Sequence, residues 1–178
     1  MFLSLLEKRR SIRKFLDQDV ASAKVEVLIE SALRAPSSMG RNPWEFIIIR
    51  DRELLGKLSK SKPYGAAFLK NAPLGIVVCA DPAKCDVWIE DASIATIFLL
   101  LGAESIGLGG CWIQIRKRMH DEHKTSKAYI SELLNIPENL EIEAIVAIGY
   151  PAEQKPTHPK ENLRYGKVHY ERFGEKTG

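Results

Sequence analysis

The sequence is poor in cysteine, lacks a long apolar run and carries little net charge. Its three cysteines, Cys79, Cys85 and Cys111, include no C-x-x-C pair and have no histidine close by, which argues against a disulfide scaffold and against a zinc site. The longest apolar stretch, 94–102, is far shorter than the roughly 20 residues that cross a bilayer. The apolar start of the chain stops at Glu7 without a small-residue cleavage site, so we expect no signal peptide. These absences predict a reduced, cytoplasmic protein without a membrane span.

The charge balance argues against a nucleic-acid-binding module. The chain has 26 basic and 23 acidic side chains, a formal net charge of +3, and so weak a field does not predict binding to nucleic acid. Basic residues are instead concentrated in two short segments, 8–14 and 116–118. No aromatic residues alternate with them, as they do on the stacking platforms of single-strand binders. We therefore expect local anion sites and no nucleic-acid partner.

Length and periodicity predict one domain, 1–178, built from layers of helices and strands. A chain of 178 residues with 45% hydrophobic residues buries one ordinary core. Aromatic and β-branched runs after proline-marked turns predict strands, and apolar residues at helical spacing predict helices. This order indicates an α/β or α+β arrangement. The predicted strands are 44–49, 74–80, 108–115 and 142–148, and the predicted helices are 3–6, 21–35, 51–58, 86–107 and 124–134.

The helix predicted at 86–107 is apolar over much of its circumference, with Trp88, Ile94, Ile97 and Leu101 on several of its faces. A helix of this kind must be buried on most sides. One small sheet covers only one side. We therefore expect a large subunit interface to cover the rest.

The basic segment, residues 9–15, reads R-R-S-I-R-K-F and begins where the first predicted helix has ended. Its guanidinium groups offer paired, charge-assisted donors in a planar fork, and its serine adds a hydroxyl, so the segment suits a phosphate. Short basic runs are also common on solvated surfaces. The segment alone leaves both interpretations open.

Two loops have the composition to approach a flat ligand. The 35–44 loop, A-P-S-S-M-G-R-N-P-W, offers two hydroxyls, an amide and an arginine to the polar edge of a heterocycle. Segment 107–114, G-L-G-G-C-W-I-Q, has glycines whose missing Cβ atoms permit close backbone approach, but it lacks the G-x-G-x-x-G spacing of dinucleotide-binding folds. The structural alternatives are a capped connection for the first and a helix C-cap with a turn for the second.

These three segments, in this order, resemble the FMN-dependent nitroreductase family. The end of the last predicted strand, A-I-G-Y-P-A at 147–152, and the basic, proline-containing stretch after it extend the resemblance over essentially the whole chain. The resemblance implies a small, single-domain α+β protein of three layers, with a central, mostly antiparallel or mixed sheet of four to five strands flanked by helices. It also implies a homodimer that holds FMN between its subunits and takes electrons from NADH or NADPH.

The resemblance further implies the residues of a flavin site. The basic segment should hold the phosphate and ribityl chain and should place one arginine at the pyrimidine edge of the ring, where a fixed cation stabilises the negative charge of reduced flavin. The 35–44 loop should line the ring from the other subunit. Backbone groups at the end of segment 107–114 should lie near N5 and O4 of the flavin. A lysine after the last strand should reach the phosphate. The implied residues are Arg9, Arg10, Ser11 and Arg13; Pro36, Ser37, Ser38 and Asn42; Ile113 and Gln114; and Lys160, with Lys155 and His158 as rivals.

The sequence departs from the family pattern at three places. Family members often have Asn where Gly40 stands and Gln where Asn42 stands, and their C-terminal basic stretch is usually richer in arginine than K-P-T-H-P-K at 155–160. Larger members insert a segment that covers the substrate. A chain of 178 residues leaves little room for one, so we expect an open pocket.

The activity that the resemblance implies is a ping-pong, two-electron reduction of an electron-poor acceptor such as a nitroaromatic or a quinone. The cofactor carries the chemistry, so no catalytic acid, base or metal is required. The alternatives are another acceptor, such as an enone or a halogenated aromatic, and a non-catalytic flavin-binding or small-ligand sensor. Cys111 has no acidic or histidine neighbour in the sequence and is expected to be a small buried apolar residue. His120 and His123 are expected to be exposed.

Overall fold

The computed structural model describes residues 2–176. The ends of every predicted helix and strand lie within two residues of the observed ones, which confirms the α+β class. The described residues also contain four short 3₁₀ turns that were not predicted, at Ser38–Gly40, Ala67–Asn71, Lys160–Asn162 and Tyr165–Lys167. The helices are α1 (Phe2–Lys8), α2 (Ser22–Leu33), α3 (Arg52–Leu58), α4 (Trp88–Ser105) and α5 (Ser126–Leu134), and the strands are β1 (Trp44–Ile49), β2 (Leu74–Ala80), β3 (Gly109–Gln114) and β4 (Glu141–Gly149).

The four strands form one sheet in the order β1-β2-β4-β3. All three strand pairs are antiparallel, so the sheet is not mixed. β2 lies in the centre and is buried at every position, as expected for a strand that is covered on both faces. β3 is an edge strand that pairs with β4 along one side only. Its other side is where the basic segment approaches.

Helices cover both faces of the sheet, which gives the predicted three layers. On one face, α2 and α4 pack against a core that includes Ile76, Val78 and Val146. On the other face, α3 and α5 pack against Val77 and Ile145. Successive strand residues point to opposite faces, so the unbroken β-branched runs of β2 and β4 supply both cores at once.

The C-terminal end of α4 is fixed by a glycine. Gly107 has a φ of +75°, a left-handed conformation that ends the helix two residues before the predicted end. The N–H of Gly107 donates to the carbonyl of Glu104 at 3.2 Å, and the N–H of Leu108 donates to that of Ala103 at 2.9 Å. The helix C-cap interpretation of this glycine is therefore confirmed.

The basic segment lies against the start of β3. Ser11 forms a parallel bridge with Gly110, and the N–H of Ile12 donates to the carbonyl of Gly110 at 3.0 Å. A Cβ on Gly109 would lie 2.7 Å from Cγ1 of Ile12. The glycines of β3 thus make room for the chain's own N-terminal segment.

Candidate functional site

Residues that follow β4 hold the basic segment in place. The carboxylate of Glu153 accepts hydrogen bonds from the N–H groups of Arg13 at 2.6 Å and Lys14 at 3.2 Å. The Nζ of Lys155 donates to the carbonyl of Ser11 at 2.6 Å. The two N–H donors, together with the charge of Lys155, hold the pKa of Glu153 below its usual range. The backbone of the basic segment is therefore preorganised.

Arg9 and Arg10 directly follow the end of α1. The guanidinium of Arg10 donates to the carbonyl of Pro156. Burial raises the pKa of Glu104, in the last turn of α4, and the charges of Arg9 and Lys8 oppose that rise. Arg9 therefore lies near this end of α4, and Arg10 contacts the segment that follows β4.

Cys111 lies beneath the basic segment, and its side chain is buried as predicted. Burial raises the pKa of its thiol, while the charge of Arg13, a hydrogen bond with Ser11 and the charges of Lys155 and Lys62 act in the opposite direction. These four residues therefore lie near Cys111. The net effect of burial and these neighbours is a raised pKa of the thiol.

The open edge of β3 presents backbone groups to this cluster. The carbonyl of Gly110 accepts from Ile12, and that of Gln114 accepts from Nζ of Lys62 at 3.0 Å. Backbone groups alternate between the two edges of a strand, so the N–H and carbonyl of Gln114 point outward. Those of Ile113 point toward its β4 partner, and its side chain is 1% exposed in the core. Of the two predicted residues, Gln114 alone offers its backbone groups at the open edge.

The side chain of Gln114 is held by a buried polar network. Its Oε1 accepts from Nε1 of Trp112 at 2.8 Å, and its Nε2 lies 3.3 Å from Oε1 of Glu143. Glu143 is 3% exposed, and its other carboxylate oxygen lies 3.0 Å from Nε of Arg116. The end of β3 is therefore fixed on both sides.

The 35–44 loop is closed by its own polar side chains and attached to the other end of α4. Oγ of Ser37 lies 2.7 Å from Oδ1 of Asn42 and accepts from the N–H of Asn42 at 3.0 Å. The N–H of Ser38 donates to Asp91, in the first turn of α4, at 2.9 Å. Pro36 is exposed at the start of the loop. All four predicted residues of this loop therefore lie together.

The tip of this loop has an unusual backbone. Met39, Gly40 and Asn42 have φ values of 52°, 66° and 46°, in the left-handed region that few residues adopt. Glycine and asparagine both tolerate that region, so Gly40 preserves the loop conformation where the family often has Asn. Met39 is 84% exposed. The loop thus presents a strained, exposed surface.

The two groups of predicted ligands do not meet within one chain. The 35–44 loop is attached at Asp91, and the basic segment lies beside Glu104. These two positions of α4 are about 20 Å apart at a rise of about 1.5 Å per residue. A single ring in contact with both groups would therefore need two chains.

The C-terminal lysines differ in their surroundings. Lys155 contacts the basic segment directly, as described above. Lys160 begins a short 3₁₀ turn and is exposed, and the N–H of His158 donates to the carbonyl of Glu7 at 3.0 Å. Of the three candidates, Lys155 is the one whose amine already lies among the predicted phosphate ligands. Glu153 and Lys62 were missed because no local motif marks them.

The structure offers few other catalytic groups. His120, which was expected to be exposed, is half-buried because its ring stacks on Tyr129 at 4.0 Å between centroids, whereas His123 is exposed. Within residues 2–176, no group of three or more His, Cys, Asp or Glu side chains is placed to hold a metal ion. In that same range, no helix has both the length and the apolar character of a membrane span.

Comparison with known proteins gives a consistent result. The model of the Nitroreductase family matches residues 6–62 and 57–150. A solved structure of an FMN-dependent nitroreductase from Clostridium difficile is 47% identical, superimposes with a TM-score of 0.95 and covers 96% of this chain and 99% of that one. A protein of Archaeoglobus fulgidus, whose name pairs NADH dehydrogenase with NAD(P)H nitroreductase, is 36% identical over 96% of this chain and 98% of its own length. An FMN reductase [NAD(P)H] of Bacillus subtilis is 27% identical over 90% of this chain and 71% of its own length. This chain belongs to the nitroreductase family.

Proposed function

We propose that this protein is an FMN-dependent oxidoreductase that uses NADH or NADPH to reduce an electron-poor acceptor, such as a nitroaromatic or a quinone, by two electrons. The observation that carries the proposal is the convergence of Ser11, Arg13 and Lys155 on Cys111 in β3, with Lys62 at Gln114 farther along the open edge of the same strand. Membership of the nitroreductase family supports it. Three buried free cysteines among the described residues support a reducing, cytoplasmic location.

The donor set of the site fits FMN. Two guanidinium groups, a hydroxyl and an ammonium group suit a phosphate, and we assign Arg9, Arg10, Ser11 and a C-terminal lysine to it. Arg13 and the outward-facing backbone of Gln114 then meet the polar edge of the ring. Pro36, Ser37, Ser38 and Asn42 of the partner subunit complete the ring contacts, and Ile113 supports the strand from within the core.

When bound, FMN supplies the redox chemistry by accepting hydride from the nicotinamide and passing two electrons to the acceptor in a ping-pong cycle. The chain contributes position and electrostatics. Arg13 places a fixed positive charge where reduction of the ring adds negative charge, and this lowers the free energy of the reduced form. The buried network of Gln114 keeps the strand edge rigid, so that ring and substrate remain in contact. No side chain has to act as acid or base.

The second part of the proposal is a homodimer whose two-fold axis passes near the middle of α4. Ile94 and Ile97, at the centre of that helix, are 38% and 45% exposed within one chain. When two such helices pack antiparallel about a two-fold axis, the N-terminal end of one lies beside the C-terminal end of the other. The 35–44 loop of one protomer then reaches the basic segment of its partner. This arrangement accounts for the distance between the two groups of ligands.

The C-terminal segment supports the same assembly. Its large apolar side chains, which a soluble monomer would leave in water, include Leu163, Tyr165, Tyr170 and Phe173 at 51%, 56%, 49% and 93% exposure. Contiguous exposed apolar residues of this kind mark interaction surfaces. We therefore assign the segment 163–173 to the dimer interface as well.

Purified protein tests the proposed function. We expect bound flavin with its visible absorbance bands, bleaching of those bands by NADH or NADPH without oxygen, and their return on addition of a nitroaromatic or a quinone. The variant Arg9→Gln with Arg10→Gln should lose FMN, whereas Arg34→Gln, in an exposed arginine at the end of α2, should retain it. Bound flavin that neither nucleotide bleaches would favour a non-catalytic flavin-binding sensor instead. Colourless protein that does not take up added FMN would refute the proposal.

A further inference from the structure

One cavity lies beside the basic segment, and a second lies beside Lys62, whose amine contacts the end of β3. Their volumes are about 420 and 410 Å³, and both are lined by Lys70. Such volumes lie in the range of small-molecule sites. Together their charged lining comprises six basic side chains and one acidic one, Asp17; the basic residues are Arg13, Lys14, Arg52 and Lys70 in the first cavity and Lys60, Lys62 and Lys70 in the second.

This excess of positive charge is local. The cavity at the far edge of the sheet, beside β1, is lined by Glu45, Asp81 and Lys84. The cavity before α4 is lined by Arg41, Lys84 and Asp86. The charged residues of the first of these sum to −1 and those of the second to +1, against +5 for the two basic cavities, and the whole chain carries a net charge of only +3. The basic lining of the first two cavities therefore does not reflect the average composition of the surface.

Most of these cations lack an acidic partner among the residues that the structure describes. Arg52 is the exception, since its guanidinium lies 3.3 Å from Asp17 and 3.2 Å from Asp19. Among residues 2–176, Lys14, Lys60 and Lys70 form no ion pair with an acidic side chain, although surface lysines elsewhere do, such as Lys57 with Glu53 and Lys127 with Glu141.

Lys62 shows the electrostatic consequence. Burial lowers the pKa of its ammonium group, and the charge of Arg118 lowers it further. A site of this kind is stabilised by a bound anion, because the anion would offset the repulsion between the lysines. His120 and Ser59 also line the second cavity.

We propose that the two cavities form a subsite for the phosphate groups of the dinucleotide electron donor. This inference rests on the proposed function. Arg13 lines the first cavity and Lys62 the second, and both also reach the edge of β3 where the flavin ring is proposed to lie. A nicotinamide in contact with that ring leaves its pyrophosphate a short distance away. Lysines bind phosphates as mobile point charges, and Lys70 between the cavities can serve either phosphate.

The test compares electron donors that differ in phosphate content. The FMN-loaded double variant Lys60→Gln, Lys70→Gln is mixed without oxygen with NADPH, NADH or reduced nicotinamide riboside, which has no phosphate. We expect the concentration for half-maximal flavin reduction to rise about tenfold or more for both dinucleotides, since two charged contacts are lost, and to stay unchanged for the riboside. The matched control is Lys84→Gln, which removes a lysine from a cavity at the opposite edge of the sheet.

A binding measurement gives a second readout. Calorimetric titration of the oxidised, FMN-loaded protein with inorganic pyrophosphate should give a signal that the double variant loses and Lys84→Gln keeps. An equal rise in the concentration for half-maximal flavin reduction with the dinucleotides and the riboside, or no rise with any of them, would overturn the inference. A further comparison uses two acceptors, the anionic 4-nitrobenzoate and the neutral nitrobenzene. If the double variant weakens only the reaction with 4-nitrobenzoate, the anion site serves the acceptor, and the inference is overturned. If no nicotinamide reduces the wild-type flavin, the proposed function fails, and loss of pyrophosphate binding in the variant still tests the cavities by themselves.

Discussion

The two ends of α4 differ in how their candidate ligands are held. At the C-terminal end, the basic segment is fixed by contacts with distant parts of its own chain, among them Glu153 and Gly110. At the N-terminal end, the 35–44 loop is held mainly by its own side chains and by Asp91. The basic segment is a charged site that other parts of the same chain hold in place. The 35–44 loop is a strained loop whose tip residue, Met39, is 84% exposed.

This difference separates the roles of the two ends. Residues in sparsely populated backbone conformations cost of order 1–3 kcal/mol each and persist where they serve a function. In the 35–44 loop, Met39 is such a residue, with a φ of 52°. In the proposed dimer, each end supplies only part of the ring site. The comparison therefore predicts that cofactor binding and assembly are coupled, and the following experiments test that coupling.

The largest effect is expected from Ile97→Arg at the centre of α4. In the proposed dimer this change buries an unpaired guanidinium, at a cost of several kcal/mol. With each 1.4 kcal/mol equal to a factor of ten, the dissociation constant of the dimer should rise at least about a hundredfold. Light scattering after size-exclusion chromatography measures the mass, and absorbance of the same peak measures bound FMN. Both should fall together.

The control for this experiment is Ile97→Val, which keeps the interface apolar and should remain dimeric with flavin bound. Circular dichroism checks that the arginine variant is folded. A folded monomer that binds FMN as tightly as the wild type would show that the ligands at the C-terminal end of α4 are sufficient for FMN binding. Cofactor binding and assembly would then not be coupled.

The next largest effect concerns the support of the basic segment. In Gly109→Ala the new Cβ would lie 2.7 Å from Cγ1 and 2.9 Å from Cβ of Ile12, so the segment must move. Overpacking of this kind costs about 1–3 kcal/mol, and we expect a similar loss in the free energy of unfolding and weaker FMN binding. Gly56→Ala is the matched control, because nothing lies within 4 Å of its Cβ and a helical Gly→Ala change stabilises by about 0.4–1 kcal/mol. Urea titrations that rank the two variants in the opposite order would contradict the prediction.

A smaller effect is expected from Arg13→Met. Removal of the guanidinium should destabilise the reduced flavin by about 1–2 kcal/mol, which lowers the two-electron potential of bound FMN by about 20–40 mV. Arg13→Lys keeps the charge and should recover most of the potential. Reduction with a reference dye of known potential measures both variants. An unchanged potential in Arg13→Met, with FMN still bound, would show that the guanidinium of Arg13 does not lie at the edge of the flavin ring.

Local sequence patterns predicted the elements better than they predicted the site. The β-branched run Ile76 to Val78 indicates a buried strand wherever it lies in the fold, because burial on two faces needs only apolar neighbours. The orientation of Gln114 and Ile113 was beyond sequence reasoning, since it depends on which edge of β3 pairs with β4. Glu153 and Lys62 likewise gain their roles from contacts with residues 140 and 52 positions away.

The smallest effect on stability is expected from Glu153→Gln, and its dependence on pH identifies its cause. Its pKa is lowered in the folded protein chiefly by the N–H of Arg13, so its carboxylate contributes stability above its ordinary pKa of 4.5, and that contribution is lost as the pH falls through the lowered value. Because the carboxylate is close to solvent, we expect Glu153→Gln to lose less than about 1 kcal/mol at pH 7. Thermal melts between pH 3 and 8 should show the difference in melting temperature from wild type shrink toward the acid end.

The control is Glu161→Gln, in an exposed turn, which should show no such pH dependence. A difference that grows on acidification would mean that the carboxylate does not anchor the basic segment, and the C-terminal end of α4 would then be no more preorganised than the 35–44 loop.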